Sequence, residues 1–204
     1  MHDQDDLKIL AWSNTRVREY NQWIRALEGR PGWYMPGELV VTNKPLFFGN
    51  QIVVTTDSIK RVSNVWDAEM NGIKGHTIEL HGVEGTFFQP WDWKEADALA
   101  KVYADDAKQT TNWQPYFVIK EQWADLRPIH ASTVHKAQGS TYFDVFIDLN
   151  NIGQNNHWRE VARLAYVAIT RASNSVHIYG ELKERYNRRP IVDLMEPFKN
   201  AHFI

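Results

Sequence analysis

The run FDVFIDL, residues 143–149, constrains the fold most strongly, because it is apolar enough for the central strand of a sheet. The residues directly ahead of it are densely polar and include His135, Lys136, Gln138, Gly139, Ser140 and Thr141. Polar clusters of this density usually belong to surface loops, where binding residues concentrate. Two interpretations follow: a ligand-binding segment, or a helix-to-strand turn whose polar residues are solvated.

Both ends of the chain alternate between strand and helix patterns. Residues 7–13 are typical of a strand, and residues 14–29 of a helix that Ser13 or Asn14 can cap and Gly29 can end. Its apolar residues recur at helical spacing, at Val17, Tyr20, Ile24 and Leu27. The pattern after residue 125 predicts a strand at 127–132, a short helix at 134–138, the apolar strand, a helix at 156–172 and a strand at 175–182.

The middle of the chain has a different character. From Glu38 to about Trp93, short β-type runs alternate with glycine, asparagine and proline, which is the signature of a small antiparallel barrel or sandwich. Two helical stretches follow. The predicted organisation is an α/β domain in two pieces, residues 1–34 and 126–204, and a mostly β insertion with appended helices, residues 35–125.

Composition excludes several classes of protein. The 204 residues contain no cysteine, so there is no disulfide framework and no thiolate metal site. No run approaches the ~18 apolar residues of a membrane helix, and no segment resembles a signal peptide, so an intracellular location is expected. His130 and His135 are five residues apart and no HExxH occurs, which argues against a metal hydrolase. The nine tryptophans suit core positions or base-stacking surfaces, and we expect core positions for most.

A second polar constellation, RLAYVAITRAS at residues 163–173, ends the predicted helix. Arg171 at this helix end interacts favourably with the helix dipole, which is the simpler account. A planar guanidinium on a rigid element is also what a phosphoryl-transfer site uses to neutralise leaving charge. The apolar face of the helix is predicted to comprise Trp158, Val161, Ala162, Ala165, Ala168 and Ile169.

Together, the two polar segments resemble superfamily 1 DNA helicases. STVHKAQGSTYFDVFIDL resembles motif V and RLAYVAITRAS resembles motif VI, and the match is closest to the RecD/Dda group, which moves 5′ to 3′ on single strands. ILAWSNTRVREYNQWIR resembles the motif IV region, and the β insertion resembles the SH3-like subdomain of that group. The resemblance implies a RecA-like, P-loop NTPase-type α/β fold, a parallel sheet flanked by helices, interrupted by a mostly β SH3-like insertion.

The resemblance also implies that particular residues of this chain contact a DNA strand. Thr133 and His135 correspond to motif V positions that face the DNA sugar-phosphate backbone. Ser13, Asn14 and Thr15 open a helix whose backbone N–H groups suit a DNA phosphate, although a cap without a ligand explains the same residues.

The nucleotide contacts that the resemblance implies lie further along the chain. Gly139, Ser140 and Thr141 correspond to positions that approach the nucleotide, and Arg171 corresponds to the arginine finger on the γ-phosphate. Many relatives carry glutamate at the position of Thr141.

Other arginines are given surface roles. Arg16 and Arg25 are expected on the exposed side of the first helix. In the tail, Arg185, Arg188 and Arg189 suit either phosphate contacts or a solvated charged face, and we favour the solvated face.

The 204 residues contain no GxxxxGK[ST] loop and no Asp-Glu pair in the setting of a Mg²⁺-binding strand. The resemblance therefore implies the C-terminal half of a helicase, isolated or separately encoded, that acts in DNA replication or repair in a bacterial or phage-infected cell. Its partners would be single-stranded DNA and an N-terminal half, and no membrane would be involved. The complete enzyme would bind ATP and Mg²⁺, whereas this chain alone would hold neither tightly. Alone, the chain is predicted to hydrolyse no ATP.

A non-catalytic module is the alternative. In that interpretation the insertion binds a single strand or a partner protein, and the α/β part is a scaffold. The aromatic residues that could form such a surface are Phe47, Phe48, Trp66, Phe87, Phe88, Trp91 and Trp93, although core positions suit most of them.

Overall fold

The computed structural model describes residues 7–30 and 32–187. They form two compact units, one made of the described residues up to Gly29 and from Ile129, the other of Arg30–Pro128. The strands are β1 (Leu7–Ala11), β2 (Leu39–Thr42), β3 (Leu46–Phe48), β4 (Gln51–Val54), β5 (Ile59–Met70), β6 (Ile73–Leu80), β7 (Thr86–Pro90), β8 (Leu126–Pro128), β9 (Ala131–Thr133), β10 (Tyr142–Asp148) and β11 (Ala172–Tyr179). The helices are α1 (Asn14–Leu27), α2 (Trp93–Thr110), α3 (Gln114–Phe117), α4 (Leu149–Ile152), α5 (Trp158–Ile169) and α6 (Glu184–Asn187), with a π-helical turn at Val118–Gln122.

The units divide a few residues away from the predicted domain boundaries, which lie after residue 34 and before residue 126. Tyr34 and Leu126 belong to the core of the second unit, where the Tyr34 hydroxyl donates a hydrogen bond to the Leu126 carbonyl at 2.7 Å. Strand β8 also pairs with β2. The second unit therefore contains residues at both boundaries that the sequence assigned to the α/β domain.

The first unit is built on a four-stranded sheet of order β11-β10-β1-β9, in which every neighbouring pair is parallel. Helix α1 packs through Val17 on one side of this sheet, which we call the α1 face. Helix α5 packs through Val161 and Leu164 on the other side, the α5 face, against Leu10 and Val145. The second unit adds an antiparallel sheet. The predicted α/β class, with a parallel sheet flanked by helices and a mostly β insertion, is confirmed.

Helix α1 begins and ends as the sequence predicts, but only part of its predicted apolar face is buried. The Ser13 hydroxyl accepts a hydrogen bond from the Arg16 N–H at 3.3 Å, and Gly29 follows the helix with a φ of +73°. The predicted apolar face includes Leu27, which is 69% exposed. Val17 is buried as predicted, but Asn21 and Arg25 are buried beside it, so the surface position expected for Arg25 is wrong.

Asn21 is buried because it satisfies the backbone of β9. Its amide nitrogen donates to the Ala131 carbonyl at 3.2 Å, and its amide oxygen accepts from the Ala131 N–H at 2.9 Å. Strand β9 lies at the side of the sheet, so a side chain replaces the partner strand that this residue lacks. This pairing explains why a polar residue lies on the buried face of α1.

The chain around β9 differs from the sequence prediction in two ways. The strand predicted at residues 127–132 is split, because β8 pairs with β2 in the second unit whereas β9 pairs with β1 in the first. The short helix predicted at 134–138 is a series of turns, in which the Gln138 N–H bonds to the His135 carbonyl at 3.3 Å. Gly139 then reverses the chain with a φ of +92°.

Helix α5 and the following segment agree in part with the prediction. Val161 and Ala168 are buried as predicted and Leu164 joins them, whereas Ile169 is 47% exposed. Arg185 in α6 donates hydrogen bonds to the side-chain oxygen of Asn156 at 3.0 Å and to a backbone carbonyl at 2.9 Å. The roles expected for Arg188 and Arg189 lie outside the described residues.

The second unit contains a five-stranded antiparallel sheet of order β7-β6-β5-β2-β8 and a two-stranded ribbon of β3 and β4. Its main core includes Val40, Leu46 and Ile78. A second cluster packs α2 and the π-helical turn on the sheet through Phe88 and Trp123, whose rings lie 4.7 Å apart.

Five of the nine tryptophans lie in or against a core, as expected for most of them. Only Trp123 is fully buried; Trp12, Trp33, Trp93 and Trp158 are partly buried. The exposed tryptophans are Trp23, Trp66, Trp91 and Trp113. Of the aromatic residues considered for a binding surface, Phe87 and Phe88 are buried, whereas Phe48, Trp66 and Trp91 are exposed.

Candidate nucleic-acid and nucleotide sites

The parallel sheet of the first unit has two distinct ends. All four strands finish at one end, the carboxyl end, and begin at the other, the amino end. The chain leaving β1 enters α1 on one face, whereas the chain leaving the neighbouring strand β10 leads to α5 on the opposite face. Adjacent strands whose connections diverge in this way leave a crevice between them, and ligands of open α/β sheets bind there.

Ser13, Asn14 and Thr15 lie in this crevice, at the carboxyl end of β1. The N–H groups of Asn14 and Thr15 have no hydrogen-bond partner within residues 7–30 and 32–187. The first N–H groups of a helix carry partial positive charge, and they bind anions readily. Both residues are exposed, so a phosphate can reach these groups.

Asn151 fixes the turn between β1 and α1 from the other side of the crevice. Its amide oxygen accepts hydrogen bonds from the N–H groups of Trp12 at 2.8 Å and Ser13 at 2.9 Å. Its amide nitrogen donates to the Ser13 hydroxyl at 3.1 Å. Asn151 is 5% exposed, so these bonds join the ends of β1 and β10 through a buried side chain.

Asp148, the last residue of β10, completes this buried network. One carboxylate oxygen accepts the Asn151 N–H at 2.9 Å, and the other accepts the Arg16 guanidinium at 2.9 Å and the Tyr20 hydroxyl at 2.7 Å. Burial, together with the bond to Asp148, raises the pKa of Tyr20 to about 12. The bond to Asp148 and, to a smaller extent, the bond to Glu19 raise the pKa of Arg16. Arg16 stays charged, and its positive charge is balanced by these two carboxylates.

The two motif V residues expected to face DNA are separated in the structure. Thr133 pairs in register with Ala11 at the end of β1, so it lies beside the turn that carries Ser13. The exposed ring of His135 instead lies 3.1 Å from a carboxylate oxygen of Glu160 in α5. The carboxyl end therefore brings Thr133 together with the α1 residues, but not His135.

Glu160 holds a second partner besides His135. Its carboxylate accepts a hydrogen bond from the Arg163 guanidinium at 2.8 Å, and this bond is the main reason that the pKa of Glu160 is lowered. His135 contributes less to the same shift. The imidazole is thus oriented by a carboxylate that stays ionised.

The residues expected to approach a nucleotide lie at the amino end of the sheet. Gly139, Ser140 and Thr141 are exposed and directly precede β10. The Ser140 carbonyl accepts a hydrogen bond from the Arg171 guanidinium at 3.1 Å. The structure thus brings together all four residues of the expected nucleotide site, about 20 Å along β10 from the crevice.

Arg171 is held only by neutral oxygen atoms. Its guanidinium also donates to the Val167 carbonyl at 3.2 Å and to the Thr170 hydroxyl at 3.1 Å. No carboxylate pairs with it among the residues that the structure describes. Its positive charge therefore remains available to an anion, in contrast to that of Arg16.

Sequence reasoning missed the buried network of Asp148 and Asn151. The signal was present, because Asp148 stands near the end of the apolar run and Asn150 and Asn151 follow it directly. Polar side chains just after neighbouring parallel strands converge at the carboxyl end of a sheet. The sequence did not give the strand order, so β1 and β10 were not known to be neighbours.

Residues 128–179 match the family described as the UvrD-like helicase C-terminal domain. This segment is similar to a helicase C-terminal domain. The matched range contains both Arg171 and the loop of Gly139–Thr141. A search of curated proteins found no match.

Among solved structures, the chain is similar to the crystal structure of Pif1 helicase from Candida albicans. The two chains share 14% sequence identity with a TM-score of 0.47, over 99% of this chain. The chain spans about half, 51%, of that helicase.

Neither a membrane helix nor a metal cluster is found in the part of the chain that the structure describes. None of its helices combines the length and apolar character that crossing a bilayer requires. No group of three or more histidine, aspartate or glutamate side chains in residues 7–30 and 32–187 is placed to hold a metal ion.

Proposed function

We propose that this chain is the C-terminal motor half of an ATP-dependent DNA helicase of the RecD/Dda group of superfamily 1, with a RecA-like domain and an SH3-like insertion. Single-stranded DNA binds at the carboxyl end of the parallel sheet, and ATP binds at the amino end. The phosphate-binding loop and the Mg²⁺-binding carboxylates come from an N-terminal half. The proposal includes 5′-to-3′ movement and a role in DNA replication or repair in a bacterial or phage-infected cell.

The placement of Arg171 carries the proposal. A transferred γ-phosphoryl group develops negative charge that catalysis must stabilise, and a fixed guanidinium supplies that stabilisation. Arg171 follows the rigid helix α5, lies beside Ser140, and has no carboxylate partner among the described residues. An arginine that served only the fold would gain more from a carboxylate partner, as Arg16 does.

The carboxyl end supports a contact to DNA. The open N–H groups of Asn14 and Thr15 suit a phosphate of the strand, and Thr133 lies beside the same turn. Such contacts position a strand without reading its sequence. Affinity should therefore fall steeply with salt.

An ATPase assay with mixed halves tests the proposal. This chain is combined with a separately expressed N-terminal half of a RecD/Dda-type helicase, ideally from the same genome, with and without single-stranded DNA. ATP hydrolysis is expected only in the mixture and only with the strand. Arg171→Ala should lower turnover by roughly 10³ to 10⁵, since it removes the arginine finger. Arg159→Ala, an exposed α5 arginine, is the matched control and should retain activity.

Two results would overturn the proposal. One is steady ATP hydrolysis by this chain alone that Arg171→Ala leaves unchanged. The other is a mixture that binds as a complex but hydrolyses no ATP with DNA present. Unwinding of duplexes with a 5′ tail, compared with a 3′ tail, tests the direction of movement.

The exposed aromatic residues of the second unit favour one other candidate function, a non-catalytic binding module. Phe48, Trp66 and Trp91 are 47%, 43% and 47% exposed, and exposed aromatic rings can stack on the bases of a single strand. Cross-linking decides between the candidates. Cross-links confined to the insertion support the module, whereas cross-links near Asn14 and Thr133 support the motor half.

A further inference from the structure

A polar cavity of about 390 Å³ lies in the crevice at the carboxyl end of the first unit. Its walls come from the start of α1 and from the segment that follows β10. A volume of this size is in the range of pockets for small ligands. The cavity therefore lies where an open α/β sheet binds its ligand.

Two side chains in this cavity have unused hydrogen-bonding groups. The Thr15 hydroxyl and the Gln154 amide both line the cavity, and neither has a partner within the described ranges. The neighbouring Asn150 is fixed, because its amide oxygen accepts the Glu181 N–H at 2.9 Å. Gly180 allows this arrangement: a β-carbon there would lie 2.2 Å from the Asn150 side chain.

The charges that line the cavity disfavour a phosphate inside it. One guanidinium, from Arg16, and two carboxylates, from Glu19 and Asp148, give a formal charge of −1. Both carboxylates already bind Arg16, so they are not free to hold a cation. A neutral group that both donates and accepts hydrogen bonds suits this lining best.

We propose that the cavity is a nucleobase subsite for single-stranded DNA, in which Gln154 and Thr15 bond to the edge of one base. This inference rests on the proposed function. Amide side chains can donate and accept at once, as a base edge requires. The phosphate of the strand remains outside, on the open N–H groups of Asn14 and Thr15. Asn151 is a positioning residue, because it holds the turn that carries them.

The test compares a normal oligonucleotide with an abasic strand of equal length. Fluorescence anisotropy measures the affinity of the full chain for each strand at low salt. Gln154→Ala should weaken binding of the normal strand roughly 2- to 12-fold, the effect of one hydrogen bond, and should leave binding of the abasic strand unchanged. Gln22→Ala, which truncates an exposed glutamine of α1, is the matched control and should change neither affinity.

The possible failures are distinguishable. If Gln154→Ala weakens both strands equally, or weakens neither, the nucleobase subsite is wrong while DNA binding by the chain stands. If the wild-type chain binds neither strand, the subsite and the DNA contact of the proposed function are both wrong. The comparison of strands separates a contact to the base from a general loss of structure, because a misfolded site would affect both.

Discussion

Replacing Asn151 with leucine should destabilise the first unit by about 2–4 kcal/mol. The change keeps the size of the side chain but removes the acceptor for the N–H groups of Trp12 and Ser13. Each buried donor left without a partner costs about 1–3 kcal/mol. Water in the adjacent polar cavity can accept some of the hydrogen bonds that these two N–H groups lose. The combined cost of the two donors should therefore stay below its maximum. The loss is large against a typical stability of about 5–15 kcal/mol.

Urea unfolding measures this effect, followed by circular dichroism and tryptophan fluorescence together, because two compact units can unfold in two steps. Asn151→Asp is the informative control, since it keeps the acceptor oxygen while placing a second carboxylate beside Asp148. It should cost less than Asn151→Leu. A leucine variant within ~0.5 kcal/mol of wild type, no more than an ordinary surface substitution, would refute the reasoning.

Two further predictions concern the second unit. Gly75→Ala places a β-carbon 2.3 Å from the Gln89 carbonyl oxygen, so the melting temperature should fall by roughly 2–12 °C, and an unchanged value would contradict the packing. Burial lowers the pKa of Lys44 to about 8. The unfolded chain then binds more protons between pH 8 and the ordinary lysine pKa near 10.5, so the stability of wild type relative to Lys44→Met should rise through that window. A difference that is independent of pH would show that Lys44 is well solvated.

The sequence predicts elements well where local pattern decides them. The strand at residues 143–149 and the helix after Ser13 appear in the structure almost as expected. Both depend on spacing and capping within a few residues. Strand order depends on distant pairings, such as that of β1 with β10, and the local pattern does not specify those pairings.

The same limit explains why the buried asparagines could not be found from the sequence. Asn21 and Asn151 are buried because each satisfies backbone groups more than a hundred residues away, and no local pattern marks those groups as neighbours. The candidate nucleotide residues could be named because the resemblance supplies them. The sequence could not show that Arg16 pairs with Asp148 whereas Arg171 has no carboxylate partner among the described residues, because these contacts depend on the folded structure.

The segment between β9 and β10 links the two candidate sites, and its packing limits how they can communicate. It leaves the carboxyl end of the sheet after Thr133 and reaches the amino end at Ser140, where it accepts a bond from Arg171. Val134 and Ala137 within it are fully buried in the core. A segment anchored in this way moves with its unit as a rigid body, because packed cores resist continuous deformation. Coupling between sites needs an element with two states that both ligands bias. In the proposed helicase that element is therefore the closure of this unit on the N-terminal half, not a rearrangement of the segment.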